Sequence, residues 1–513
     1  MHLTELCDKL SPGSYCALSY CWGGEQEFKT TTSNIQSYKQ AIPVEALPQT
    51  IQDAIRVAKA MGFQFLWVDS LCIIQDDRTD MTHELVKMVD IYAGAALTIA
   101  AASASSCHDG FLGRSEWDRP YWSLNFSLSS RCFNGQLVDI ILRKTDETIE
   151  ETCPLHQRAW AFQECVVSPR LLIYGATQMM WCCWAETMSE GSAAFHWLRN
   201  DIGWARRSLQ PSSQFVGKAM QPGNSLMQTW NHLVEQYTTR VLTKLTDTLP
   251  AISAIAQRFG QARHGVLTSI KGNEQYLAGL WRDDLPLCLL WQNVSSGTRR
   301  DTIPQPLPSW SWTSSPDCRI QWDYFRAIDY IPSAKLLGAF VELDSPQAPY
   351  GSVCGGQVTL TGRLKWLRIQ KSPYKRASIE IEAHPSMADH MDLYPSFDDG
   401  RDNQFWPGCC AWFLEVGRQK DDARDTNTEF NVAGLILEQC KSAEIFGRKA
   451  ATVVRVDTGE HLPVFRRLGT FRFQIPKTPT IGDQRMPVDQ RLFWTRRLCT
   501  FIDTWEERSV ILI

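Results

Sequence analysis

The chain has 513 residues, of which 44% are hydrophobic and 21% charged, a balance that excludes a disordered adaptor and allows two or three domains with buried cores. Its 52 basic and 56 acidic residues are mixed along the sequence and leave a net charge of -4, with no basic run to follow a phosphate backbone, so nucleic acid is not expected as a partner. No apolar stretch reaches the ~18–20 residues a membrane helix requires, and residues 1–10 lack the basic start and apolar core of a signal peptide. The expected location is therefore the cytoplasm. There the 17 cysteines are thiols, and their spacing, with adjacent pairs at Cys182-Cys183 and Cys409-Cys410, offers no zinc pattern. No metal is expected.

In chain order, Tyr15 to Trp22 reads as a strand emptying into the glycine turn Gly23-Gly24. Gln49 to Met61 carries apolar residues at helical spacing and is closed by Gly62. Phe63 to Gln75 is apolar at nearly every position, as in a strand covered on both faces, and ends in Asp76-Asp77. Thr82 to Ala93 has a helical stripe of Leu85, Met88, Val89 and Tyr92, and Leu97 to Ala102 returns as a strand. Strand, helix, strand, helix, strand predicts a parallel sheet in an α/β fold. Residues 107–150 form an insertion before strands at Leu171 to Tyr174 and Met179 to Trp184. A Ser-, Gly- and Pro-rich connection over 186–225 leads to a helical segment over 226–300. Short apolar runs between turns over 301–513 predict antiparallel β structure, with an exposed charged loop from Gly417 to Glu429.

Three blocks have a recognisable pattern: Tyr15-Cys16-Ala17-Leu18-Ser19-Tyr20-Cys21-Trp22-Gly23, Leu66 to Asp77, and Arg158-Ala159-Trp160-Ala161-Phe162-Gln163-Glu164. In order and spacing they resemble the fungal heterokaryon-incompatibility (HET) domain, whose pattern is roughly YxALSYxWG, LWIDSLCIIQDD and RGWxxQE. Further signatures found downstream of that domain are matched by Tyr237 to Thr243 with Asp247 to Ala256, by Tyr276 to Trp281 and by Pro308 to Trp312. Ala159 stands where the family has glycine, and Met81 where it has tryptophan. The chain also reaches Tyr15 sooner than many relatives do, which suggests a short form or a late start.

HET domains look distantly like TIR domains, so the resemblance implies a TIR-like, flavodoxin-like parallel sheet core with insertions over residues 1–185. It also implies an effector of nonself recognition that triggers programmed cell death, with self-association as the switch and an unidentified protein partner. Enzymatic TIR domains cleave the nicotinamide bond of NAD with a helical glutamate. This makes Glu84, within Asp80 to Glu84, the first candidate catalytic carboxylate and NAD the candidate substrate, with no cofactor assigned. Glu84 at the start of its helix is equally explained by the helix dipole. Glu164 is the second candidate, with Arg158 able to pair with Asp69 or Asp76.

Ligands of parallel sheets bind at the carboxyl ends of the strands, which here carry Ser19, Tyr20, Trp22 and Gly23 from one strand and Asp69, Ser70, Gln75, Asp76 and Asp77 from the next. Cys72 with His83 is a weaker nucleophile pair, since a thiol on an apolar strand is poorly ionised. The 20 tryptophans are read as packing residues, with an aromatic ligand pocket as the alternative. Two other functions compete, a biosynthetic small-molecule enzyme using such a pocket and a non-catalytic interaction scaffold.

Overall fold

The computed structural model describes residues 1–4, 14–113, 125–131, 137–143, 153–176, 179–189, 206, 209, 226–264, 275–295, 307–315, 317–322, 330–370, 378–380, 392–398, 410–419, 430–440, 443–445, 448–450, 452–454, 461–475, 480–481, 484–485, 502 and 504–513. The chain divides into two compact units. The first comprises Met1–Ala219 with Arg240–Leu242 and Pro250–Ala262, and the second the rest. The expected connection over 186–225 and the charged loop ending at Glu429 lie largely outside the described residues.

The first unit is built on a six-stranded sheet. Its strands are β1 (Tyr15–Ser19), β2 (Phe65–Trp67) and β3 (Leu97–Ala100), then, beyond a hairpin of β4 (Asn125–Arg131) and β5 (Leu137–Arg143), β6 (Arg170–Tyr174), β7 (Met179–Cys183) and β8 (Thr187–Ser189). The order is β2-β1-β3-β6-β7-β8. Strands β2, β1, β3 and β6 run parallel, whereas β7 and β8 are antiparallel. The sheet is thus mixed rather than wholly parallel. The four residues between β6 and β7 are too few for a crossover and allow only a hairpin. Among the central strands, β3 and all but the first residue of β1 are buried, as a sheet covered on both faces requires.

Helix α1 (Ile35–Gln40) precedes α2 (Gln49–Ala60), which packs Ile51, Ala54, Ile55 and Ala58 into a core with Leu18, Leu97 and Ile99. The expected long strand through Gln75 is absent. After β2 the chain winds into a single helical turn, α3 (Asp69–Cys72), because the N–H groups of Leu71 and Cys72 both donate to the Val68 carbonyl. An apolar run of this kind does not distinguish strand from buried helix. The next helix, α4 (Arg78–Gly94), begins four residues earlier than its apolar stripe predicts, because Asp77 caps it by accepting from the N–H groups of Thr79 and Asp80. Two further helices, α5 (Pro154–Gln157) and α6 (Ala159–Val167), lead into β6.

The second unit holds the helix Leu226–Thr238 and the end of Ser253–His264, and its residues 276–293 form short strands and 3-10 turns where a helical segment is expected. Two of the tryptophan-rich signatures meet here. The indoles of Trp230 and Trp312 donate to the Gly279 carbonyl at 2.8 and 2.9 Å, and a Cβ on Gly279 would lie 2.5 Å from the Trp312 ring. Trp230, Tyr276 and Trp281 contact one another edge to face, so these rings are packed core. Beyond them the strands Val353–Gln370, Cys410–Gln419, Phe430–Gln439, His461–Ile475 and Glu506–Leu512 pair in a closed ring, a barrel whose pairings are antiparallel apart from one short parallel contact. Among the described residues no helix is long and apolar enough to cross a membrane.

Candidate functional site

Helix α6 is apolar on every face and buried from Ala161 to Val167, so its two polar residues are carried inside with it. The Gln163 side-chain carbonyl accepts from the Ala254 N–H at 3.1 Å. Glu164, 3% exposed, reaches the carboxyl end of β1, where the Ser19 hydroxyl donates to its Oε2 at 2.5 Å. The Glu164 backbone carbonyl accepts from Ser168, whose hydroxyl also bonds Thr98 of β3.

Arg158 sits at the joint of α5 and α6. Its backbone is clamped by Val241, which accepts from the Ala159 N–H and donates to the Gln157 carbonyl. Arg240 secures the same joint by donating to the His156 carbonyl and stacking over Phe162. The downstream Arg240 signature therefore holds a residue of the N-terminal block in place. From this joint the Arg158 guanidinium donates to the Tyr20 carbonyl just past β1.

Asp69 opens α3 at the carboxyl end of β2. It accepts from the Trp22 indole at 2.9 Å and from the Ser70 N–H at 2.6 Å. Tyr20 donates to the Ser70 hydroxyl and accepts from Gln26, which fixes the two strand ends side by side. Ser19, Tyr20 and Ser70 are fully buried, whereas Trp22, Asp69 and Arg158 are partly accessible and form the rim.

These groups share one electrostatic environment. Burial pushes the Glu164 carboxyl up to about 7, against the downward pull of Arg158 and the Ser19 hydrogen bond, and the Asp69 charge adds to the rise. Asp69 is likewise raised by burial, opposed by Arg158 and the Trp22 hydrogen bond. Burial opposes the Arg158 charge, but the Glu164 and Asp69 carboxylates outweigh it and raise that pKa. One cation thus serves two carboxyl groups, that of Glu164, which ionises near neutrality, and that of Asp69.

Other candidates lie elsewhere. Glu84 is past the first turn of α4, beyond the reach of the helix dipole, and its partners are Lys87 at 3.3 Å and His83 at 3.4 Å. Asp76 is exposed and accepts from the Thr32 N–H and hydroxyl, both at 2.8 Å, rather than from Arg158. Asp77 is the cap of α4. The Gln75 amide is spent on the Asp69 and Ile73 carbonyls. Gly23 is exposed with φ +78°, and its Cα lies so near Ser106 that a Cβ would fall 2.1 Å from that side chain. Cys72 lies on α3, its thiol pushed up to about 12 by burial.

Two participants escaped the sequence reading. Tyr92 was legible as part of an apolar stripe, but its hydroxyl donates to the Leu18 carbonyl beneath the site at 3.0 Å. Gln26 had no signal in the sequence. Among the described residues no group of three or more His, Cys, Asp or Glu side chains is placed to hold a metal ion.

Neither the curated proteins nor the solved structures gave a match to this chain. Residues 15–164 match the family model described as Heterokaryon incompatibility protein (HET), a span running from the first residue of β1 to Glu164 itself, and the N-terminal α/β unit thus contains a heterokaryon-incompatibility domain.

Proposed function

We propose that this chain is an effector of fungal nonself recognition, acting in the cytoplasm, whose HET domain triggers cell death by cleaving the nicotinamide glycosidic bond of NAD. The observation that carries the reading is Asp69, a partly exposed residue whose carboxylate accepts from the Trp22 indole and shares the charge of Arg158 with buried Glu164, at the carboxyl ends of parallel strands. In this reading Asp69 faces the ribose. The C1′–N bond breaks, its electron pair leaves with nicotinamide, and the ribosyl cation is stabilised by the carboxylate until water captures it and releases a proton to solvent. Arg158 offers its guanidinium to a phosphate oxygen of the substrate. Glu164 and Ser19 are too buried to touch substrate, and act as positioning residues that hold Arg158 and the β1 end. Self-association of HET domains is the trigger, as the likeness to TIR systems implies, and a further protein partner supplies the recognition.

A second reading, a signalling domain without catalysis, is favoured by the depth of Glu164, since a carboxylate this buried and bonded also serves as a strand-end anchor. Inducing the full chain in a fungal host, beside Asp69→Asn at equal protein level, separates the two. Death with loss of cellular NAD, both abolished by the substitution, supports cleavage. Death that persists in Asp69→Asn with NAD unchanged removes it and leaves signalling by association.

A further inference from the structure

A cavity of about 330 Å³ lies beneath α2 and along β2, reaching from Tyr15 at the start of β1 to Leu71 and Cys72 of α3. One wall is the segment Met1–Thr4, which is held in place where the Ile42 N–H donates to the Met1 carbonyl and the Leu3 N–H to the Tyr38 carbonyl. The remaining lining is dominated by apolar side chains, including Val44, Ile55, Phe63 and Leu66. Among the described residues that line it, the basic side chains are Lys59 and His2, and none is Asp or Glu. The volume is near the lower end of the ~300–1,000 Å³ found for ligand pockets, which suits one short chain and excludes a two-chain lipid.

We propose that this cavity binds a small amphipathic carboxylate, its alkyl chain against Ile55, Phe63 and Leu66 and its head at Lys59. The occupied cavity also bears on the site above. Leu71 and Cys72 line it, while Asp69 and Ser70 of the same helical turn belong to the charged cluster, so a ligand holds that turn from below. This coupling rests on the reading of Asp69 as the working carboxylate, whereas the binding itself does not.

The test is calorimetric titration of the purified full chain with decanoate and with decan-1-ol. Saturable one-to-one binding of decanoate is expected, at least tenfold tighter than decan-1-ol, with that preference lost in Lys59→Gln. Ala58→Phe fills the cavity and abolishes binding of both. Absence of saturable binding, equal affinity for the two probes, or undiminished binding by a folded Ala58→Phe would overturn the proposal. Should Ala58→Phe not fold, hydrogen exchange of the wild-type chain decides instead: decanoate slows exchange in peptides covering residues 55–72, and protection elsewhere or nowhere overturns it. If binding holds but decanoate leaves NAD cleavage unchanged, the site stands and the coupling to Asp69 falls.

Discussion

Replacing Glu164 with glutamine isolates the cost of keeping a carboxylate beneath the strand ends. In the folded chain Glu164 keeps its proton up to about pH 7, whereas its ordinary value is 4.5. Between these values the folded state binds the extra proton and the unfolded state does not, so this group makes stability fall as pH rises, by about 1.4 kcal/mol per pH unit. Its stabilising effect is fully present below pH 4.5 and is lost as pH rises through about 7. The span amounts to about 3 kcal/mol by pH 8, and Glu164 is too buried for solvent to screen it. Glutamine keeps the shape and never ionises. Wild type and Glu164→Gln should therefore have similar stability at pH 5, and the mutant should gain by about 3 kcal/mol relative to wild type by pH 8. Urea unfolding at half-unit pH steps measures this. Parallel stability curves for the two chains across pH 5–8 would refute the buried-carboxylate account.

Other outcomes follow from single residues. Gly23→Ala combines a left-handed backbone with a Cβ 2.1 Å from the Ser106 side chain and 2.6 Å from its Cα, so it should cost more than the ~1–2 kcal/mol of an unhindered left-handed alanine. Gly62→Ala, with φ +80° and nothing within 4 Å of its Cβ, supplies that baseline in the same thermal melt. Asp77→Ala removes two hydrogen bonds at the α4 N-terminus and should cost about 1 kcal/mol, with faster amide exchange confined to residues 78–81.

Much of the N-terminal unit was legible because its signals are local. The apolar period of α2 and its closing Gly62 give the helix to within a residue, β1 and β3 fall inside the runs that announce them, and β6 starts one residue before its run. The missed elements depend on where backbone hydrogen bonds go. The turn at Asp69 to Cys72 has the composition of a strand and winds only because the Val68 carbonyl takes two donors. Asp77 has the place of a strand-end ligand in the sequence, but an Asp three residues before Asp80 is also a helix-start signal, and that is the use the structure makes of it. The site shows the same division. Ser19, Asp69, Arg158 and Glu164 each stand at a strand end or in one of the motif blocks, but their convergence depends on α6 being buried on every face and on Val241 clamping Arg158, contacts made across 83 residues of sequence. Glu84 is a candidate through likeness to another family, whereas its own neighbourhood, with Lys87 three residues on along the same helix and His83 beside it, already signals the local ion pairs that the structure shows.

The most direct test is nicotinamide release from NAD by the purified full chain, set beside Asp69→Asn and Glu84→Ala. The account predicts release by wild type, retention of most of it in Glu84→Ala, and loss of at least a hundredfold in Asp69→Asn with the fold intact. No release by wild type, or release that survives Asp69→Asn and disappears in Glu84→Ala, would contradict it.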